Sequence, residues 1–307
     1  MEIFHYQARE NTVYRDYINF LGIDIQRISN SYEIPFLPIG FFKNHKIISG
    51  IFDEEIVFTS SGTSGMQRSK HYIRNLELCK KSFINAFRVF YGEPAEYRFL
   101  ALLPSYLERE GSSLVFMVEE LIRAGGYAES GFFLYEHDQL ADKLKIFSSD
   151  KTKVILIGVS FALLDFATQY SFPVGKNIIL METGGMKGRK EEITRAELHK
   201  HLCNAFQLKS IHSEYGMTEL LSQAYSTGDG RFIAPPWMKV IVRDIQDPFQ
   251  ILPEGKTGAI NIIDLANIHS CAFIETQDIG KLHPDGSFEV LGRTDSSDVR
   301  GCSLLFS

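Results

Sequence analysis

Residues 59–70 combine hydroxyls, glycines and positive charge directly after the apolar run over 56–58. Glycine adopts positive φ without strain, so consecutive backbone N–H groups of such a loop can converge on an anion. Hydroxyl and cationic side chains add further donors, which makes the loop a candidate polyphosphate site. Its candidate binding residues are Ser60, Ser61, Gly62, Thr63, Ser64, Gly65 and Arg68. An ordinary polar turn is the alternative.

The loop is not a Walker A motif, because the pattern GxxxxGK[ST] is absent from the sequence. Residues 255–257 read GKT, which are the last letters of that motif. However, Gln250 stands where the first glycine of the motif is required. We therefore predict a turn at Gly255 rather than a second phosphate loop.

A second candidate segment, HSEYGMTEL over 212–220, follows a predicted short strand over 208–211. Tyr215 offers a flat face on which a base can stack, and Thr218 can hydrogen-bond a phosphate or a carboxylate. Glu219 can hold Mg²⁺, which prefers oxygen ligands and bridges phosphates. The alternative is the start of a helix, with Thr218 and Glu219 as an N-terminal pair near the helix dipole.

The third candidate segment reads ETQDIGKLHPDGSFEVLGRTDSSDVRG over 275–301. We place Asp278 between two short strands, where its carboxylate can accept hydrogen bonds from both hydroxyls of a ribose. Arg293 can reach the same ribose or a phosphate. The alternative is a pair of β-turns with a surface salt bridge.

The elements that must position these segments alternate between strands and helices in the middle of the chain. The predicted strands lie at 98–103, 131–135, 153–158 and 177–181, and the predicted helices at 113–124, 138–147, 161–168 and 190–206. This alternation predicts an α/β protein with mainly parallel sheets covered by helices. Ligands of such sheets bind beyond the carboxyl ends of the strands.

The texture of the sequence changes after about residue 230, where short strands are separated by Pro and Gly turns. We therefore predict an α/β core over 1–230 and a smaller β-rich subdomain over 231–307. A chain of 307 residues is long enough for this arrangement.

Charge and cysteine usage limit the function classes. The net charge of −6, without blocks of like charge, argues against broad nucleic-acid binding. The longest apolar run is too short for a transmembrane segment, and the N-terminus lacks a secretory pattern. Cys79, Cys203, Cys271 and Cys302 are widely spread without a CxxC motif, which favours reduced thiols and a cytoplasmic protein.

The three segments in this order resemble the adenylate-forming superfamily, which includes acyl-CoA synthetases, peptide-synthetase adenylation domains and luciferases. The superfamily carries an [ST]SG[ST][ST]GxPK loop, a YGxTE segment and a TGD…GRxxD segment. This sequence has SSGTSG at 60–65, YGMTE at 215–219 and GRTD at 292–295. Gln67 and Arg68 replace the Pro-Lys pair, and Gln277 replaces the glycine of TGD.

A closer resemblance is to the acyl-protein synthetases, the synthetase subunits of the fatty-acid reductase complex in bacterial bioluminescence. It rests on LPSYLEREGSSLVFMV at 103–118, TGGMKGRK at 183–190 and GRTDSSDVRGCSLL at 292–305. The resemblance implies ATP and Mg²⁺ as cofactors and a carboxylic acid, in particular a fatty acid, as substrate. It also implies acyl transfer to a cysteine near the C-terminus, and then to a reductase or carrier partner.

The resemblance assigns roles to the candidate residues. It implies that the 60–65 loop and Arg68 bind the phosphates. Tyr215, with Gly184 and Gly185, would bind adenine, and Asp278 and Arg293 would bind the ribose. Thr218 acts on the phosphates, and Glu219 holds the metal. The superfamily's C-terminal lid domain supplies a lysine, but here only six residues follow Gly301. We expect the lid to be absent and Lys187 or Lys70 to substitute; slow adenylation is the alternative.

Cys302 is the candidate acyl acceptor, because a thiolate attacks acyl-adenylates and the nearby Arg300 would lower its pKa. The alternative is a small buried hydrophobe in a last strand. We predict that Cys79, Cys203 and Cys271 belong to the core. For His212, a structural hydrogen bond at a strand end is favoured over a general-base role.

Other functions stay open at this stage. The chain could transfer the acyl group to coenzyme A or a carrier protein, with Cys302 structural. It could also be a nucleotide- or acyl-binding module without turnover, an alternative motivated by the expected absence of the lid domain and by the change to Gln67-Arg68. A structural scaffold fits least, since three ordered phosphate-type motifs would then be coincidental.

Overall fold

A computed structural model describes residues 1–61, 67–104, 110–184 and 193–294. Within these ranges the helices are α1 (Glu2–Glu10), α2 (Thr12–Phe20), α3 (Phe41–Asn44), α4 (Leu76–Tyr91), α5 (Ser113–Gly125), α6 (His137–Phe147), α7 (Ser160–Gln169) and α8 (Arg195–Phe206). The strands are β1 (Leu37–Pro38), β2 (Ile56–Thr59), β3 (Lys70–Ile73), β4 (Tyr97–Leu102), β5 (Gly131–Phe132), β6 (Lys153–Val159), β7 (Ile178–Thr183), β8 (His212–Tyr215), β9 (Ala224–Ser226), β10 (Arg231–Phe232), β11 (Met238–Arg243), β12 (Thr257–Asp264), β13 (Phe273–Leu282) and β14 (Phe288–Arg293).

The first large sheet has the strand order β5-β4-β6-β7-β8-β9, and all of its pairs are parallel except β8 with β9. Strands β4, β6 and β7 are apolar on both faces, as strands covered on both sides must be. Helices α4 and α5 cover one face, and α6, α7 and α8 cover the other. The predicted helix-covered parallel sheet is therefore confirmed.

The second large sheet is antiparallel, with the order β10-β14-β13-β12-β11, and β1 adds to β13 in parallel. The first fifty residues pack on this sheet: Phe4 and Tyr14 share its core and contact Phe273. The buried Gln7 reinforces the contact, because its amide bonds three carbonyls of the β12–β13 connection and accepts from the Ala272 N–H. The domain boundary at residue 230 stays a prediction. In the structure, residues 1–50 pack with the β-rich part of the chain rather than with the first sheet.

Two predicted elements differ from the observed ones by three or more residues, and a third is not observed. The helix predicted over 190–206 appears as α8, which begins at Arg195 because Thr194 and Glu197 form a capping box. The strand predicted over 131–135 is limited to β5. The strand predicted over 208–211 is wrong, because the sheet is continued by β8 at His212–Tyr215. Across the described ranges, no helix combines the length and apolarity needed to cross a bilayer.

Candidate functional site

The ends of the hydroxyl-rich loop are held together by the β2–β3 hairpin. Beyond the last pair, the Ser60 N–H donates to the Ser69 carbonyl at 3.1 Å, and the Ser69 N–H donates to Ser60 Oγ at 3.0 Å. Thr59 N–H also donates to the Gly111 carbonyl at 2.7 Å. These contacts close the neck of the loop.

The loop itself is described only in part. Arg68 and Lys70 are exposed beside the neck, as phosphate contacts require. The predicted phosphate residues Gly62, Thr63, Ser64 and Gly65 lie outside the described residues, as do Gly185, Lys187 and Cys302. Their roles stay predictions.

Tyr215 ends β8 and contacts the second sheet. Its ring packs against Phe232 and Phe288, and its hydroxyl donates to Asp278 Oδ2 at 2.7 Å. Burial raises the pKa of Tyr215 well above its ordinary value, and the negative charge of Asp278 raises it further, so the phenol stays a donor. Only 8% of Tyr215 is exposed, so a stacked base would meet a small part of the ring.

Asp278 pairs with Arg293 across neighbouring strands. The two residues are register partners in β13 and β14, with Arg293 Nε 3.3 Å from Asp278 Oδ1. Asp278 therefore lies inside β13, and its predicted position between two short strands is wrong. The structure brings Tyr215, Asp278 and Arg293 together as one polar cluster where the two large sheets meet.

The chain after Tyr215 forms turns and then β9, so the alternative of a helix start at Thr218 is wrong. Two buried side chains hold its carbonyls: His71 Nδ1 donates to Thr218 at 2.8 Å, and Asn267 Nδ2 donates to Glu219 at 2.7 Å. Burial lowers the pKa of His71 to about 4, against the opposing effect of the Thr218 carbonyl, so its imidazole is neutral at pH 7. This support was missed from the sequence.

Glu219 is the predicted metal ligand and is 5% exposed. Among the described residues, no group of three or more His, Cys, Asp and Glu side chains is arranged to hold a metal ion. A single carboxylate fits Mg²⁺ that arrives with ATP, since that ion takes one or two carboxylates together with phosphate oxygens.

A second carboxylate, Glu214, lies buried in β8 and was not identified from the sequence. The Thr183 hydroxyl donates to its Oε2, and a Cβ on Gly216 would lie 2.5 Å from its Oε1. Burial raises the pKa of Glu214 to about 7, and the nearby charge of Glu182 adds to the shift while Thr183 opposes it. The signal in the sequence that could have identified Glu214 is an acidic residue directly before the Tyr-Gly pair.

The adjacent end of β7 carries Gly184, which is exposed and needs glycine because its φ is +71°. Next to it, the buried Glu182 is 2.9 Å from Arg195 Nε and 3.6 Å from His199 Nε2. Although burial raises the pKa of Glu182, the His199 hydrogen bond and the Arg195 charge outweigh it and lower the pKa. The Ser160 hydroxyl fixes the Gly184 carbonyl at 2.6 Å.

His212 and the described cysteines have structural surroundings. Tyr91 and His212 Nδ1 are hydrogen-bonded at 3.1 Å, and burial lowers the pKa of His212 to about 4, which matches the structural alternative. Cys79 and Cys271 are buried in the core as predicted, and burial raises the pKa of each thiol to about 12. Cys203 is only partly buried against the core.

Comparison with family models matches residues 128–307, more than half of the chain, to the family described as acyl-protein synthetase, LuxE. Comparison with curated proteins finds no match.

Solved structures resemble the fold. ATP-bound MatB from Rhodopseudomonas palustris matches with a TM-score of 0.57 and 18% identity over 79% of this chain and 49% of its own. AMP-bound O-succinylbenzoate coenzyme A synthetase from Bacillus subtilis matches with a TM-score of 0.55 and 18% identity, over 79% of this chain and 49% of its own. An open conformation of 2-hydroxyisobutyryl-CoA ligase matches with a TM-score of 0.70 and 12% identity, over 96% of this chain and 73% of its own. The chain thus spans about half the length of the first two proteins, and the predicted adenylate-forming fold is confirmed.

Proposed function

The chain belongs to the acyl-protein synthetase family LuxE, as its motifs predict, and on this basis we propose that it activates a carboxylic acid with ATP and passes the acyl group to a thiol. First, a carboxylate oxygen of the acid attacks the α-phosphorus of ATP, so that an acyl-adenylate forms and pyrophosphate leaves. Then the Cys302 thiolate attacks the acyl carbonyl carbon, so that a thioester forms and AMP leaves.

The observation that carries the proposal is the cluster of Tyr215, Asp278 and Arg293. Among the described residues, Tyr215 contacts one oxygen of the Asp278 carboxylate and Arg293 the other, and a carboxylate has about four acceptor positions. The group can therefore accept from ribose hydroxyls without losing its present contacts. Arg293 is half-exposed beside it and can contact the ribose or a phosphate.

The remaining roles follow the family motifs. Residues 60–65 and Arg68 bind the phosphates, and Thr218 hydrogen-bonds to them. Lys187 stabilises the charge that develops in the transition state of adenylation. Gly184 and Gly185 line the adenine site. Glu219 would hold Mg²⁺ together with the phosphates, and the ion would supply further charge stabilisation. The substrate class is a fatty acid, the location is the cytoplasm, and the final acceptor is a reductase or carrier protein.

Intact-protein mass spectrometry tests the proposal. The pure chain is incubated with ATP, Mg²⁺ and a set of carboxylic acids without coenzyme A, beside Cys302→Ala and the matched control Cys203→Ala. We expect an acyl-sized mass gain that hydroxylamine removes, present in the wild type and in Cys203→Ala and absent in Cys302→Ala. The mass gain identifies the preferred acid.

Two other results would change the assignment. If no adduct forms but AMP is released once coenzyme A or a carrier is added, the chain is an acid–thiol ligase with a structural Cys302. If acid-dependent exchange of pyrophosphate into ATP is absent as well, a binding module without turnover replaces the enzyme.

A further inference from the structure

His71 connects the phosphate-loop hairpin to the Thr218-Glu219 segment. It lies in β3, is 1% exposed, and donates from Nδ1 to the Thr218 carbonyl at 2.8 Å. Because a carbonyl only accepts, Nδ1 must carry the proton. The Phe42 ring packs against the imidazole in a T-shaped contact, with ring centroids 5.9 Å apart and planes at 90°. The donor is therefore fixed in both tautomer and orientation.

The loop neck is close to this contact. In the hairpin register Phe58 pairs with His71, and the Ser60–Ser69 neck lies two residues closer to the loop on both strands. A short length of paired strand and one hydrogen bond thus separate the closed neck from Thr218. Asn267, which is also 1% exposed, holds the next carbonyl, that of Glu219.

Resting on the proposed function, we propose that His71 is a positioning residue that sets the spacing between the Ser60–Ser69 neck of the phosphate loop and the Thr218-Glu219 segment. Both segments must contact one triphosphate and its metal, and they lie about 150 residues apart in the sequence. Displacement of reacting groups by about 1 Å can lower a rate about 100-fold. The Nδ1–H group of His71 is the direct side-chain link from β3 to Thr218.

Two substitutions separate this role from simple packing. His71→Asn keeps an N–H donor at the position of Nδ1, whereas His71→Gln moves the donor outward to the position of Nε2. Asn removes more volume than Gln, so packing alone predicts that His71→Asn is the more damaging change. Positioning predicts the opposite order for nucleotide binding and turnover.

The experiment measures the ATP Kd by calorimetry without an acid, acid-dependent pyrophosphate exchange, and the thermal midpoint for each variant. We expect His71→Gln to weaken ATP binding and lower kcat/KM by about 10-fold or more, and His71→Asn to stay within about threefold of wild type. Asn267→Asp loses the donor to the Glu219 carbonyl. It should weaken ATP binding and lower kcat/KM as His71→Gln does, and it should change the Mg²⁺ dependence of ATP binding more than His71→Gln.

The outcomes separate this inference from the proposed function. Equal ATP affinities for the two His71 variants, or affinities that follow the thermal midpoints, would overturn the positioning role. If the wild type binds ATP without exchange activity, the proposed function fails, and the order of ATP affinities still decides the role of His71. If the wild type binds no ATP, both fail.

Discussion

The Tyr215 hydroxyl donates a 2.7 Å hydrogen bond to Asp278, across 63 residues of sequence, and so joins the last residue of β8 to the middle of β13. Asp278 is 7% exposed and also faces Arg293, so its carboxylate has a fixed orientation. A buried charge held in this way is stabilised by its donors and can bind a ligand hydroxyl without reorganising.

The first prediction concerns Asp278→Asn. Its amide cannot accept ribose hydroxyls as a carboxylate does, and hydrogen bonds to charged groups contribute about 1.5–3 kcal/mol each. We expect wild type to prefer ATP over 2′,3′-dideoxy-ATP by about 10-fold or more, and the variant to bind both nucleotides about equally. Calorimetric Kd values for the two nucleotides measure this.

Tyr215→Phe is the matched control for this prediction. It removes the hydroxyl donor but leaves the Asp278 charge, so discrimination between the two nucleotides should persist while stability falls by about 1–2 kcal/mol. If Asp278→Asn still prefers ATP over 2′,3′-dideoxy-ATP, the ribose does not bind at Asp278.

The second prediction concerns the buried Glu214. Its pKa is raised from 4.5 to about 7 in the folded chain, so between these values the folded state holds a proton that the unfolded state has lost. Stability therefore falls as the pH rises through this window. By linkage, the full effect above pH 7 is about 3 kcal/mol.

Urea unfolding of wild type and Glu214→Gln between pH 4.5 and 8 measures this effect. The free energy of unfolding of Glu214→Gln should rise relative to wild type with increasing pH, by about 3 kcal/mol across the window. Glu182, Tyr91 and Tyr225 lie near the carboxyl and are present in both proteins, so the difference isolates Glu214. Parallel curves would show that its carboxyl titrates normally.

The sequence predicted the α/β sheet well, because β4, β6 and β7 are apolar runs separated by helices with clear ends. It failed at β8, whose residues are His, Ser, Glu and Tyr. Ser213, Glu214 and Tyr215 are nevertheless buried, because their polar groups have partners in distant elements: His199, Thr183 and Asp278. Tertiary contacts of this kind override local propensity and cannot be read from neighbouring residues.

The site was predicted by residue type more than by arrangement. Motif order identified Tyr215, Asp278 and Arg293, and the structure brings all three together. His71 and Asn267 were missed, because what matters is the carbonyl that each one meets and no motif records that contact. Support residues of this type become visible only when the chain is folded.

The third prediction concerns Arg195, which connects α8 to the second sheet. Its Nε contacts the buried Glu182, its NH1 nitrogen donates to the Val290 carbonyl at 2.8 Å, and it lies over the Phe232 ring. Arg195→Met should lower the free energy of unfolding by about 3 kcal/mol, because Glu182 loses its nearest cation.

Urea titrations of Arg195→Met and of Arg195→Met combined with Glu182→Gln measure this coupling. We expect the second variant to recover part of the lost stability, since it no longer buries an uncompensated carboxylate. A double variant less stable than Arg195→Met would contradict the assigned role of the ion pair.

The last prediction separates loop closure from phosphate binding. Ser60 Oγ accepts from the Ser69 N–H, and Ser69 is 3% exposed, so Ser60→Ala leaves a buried donor without its acceptor. The cost of such a loss is about 1–3 kcal/mol. Ser61 is exposed and serves as the matched control. We expect Ser60→Ala to lower both thermal stability and ATP affinity, and Ser61→Ala to lower ATP affinity alone. If Ser60→Ala is as stable as wild type, the Ser60–Ser69 contact does not hold the neck, and the loop must be closed by the β2–β3 pairing.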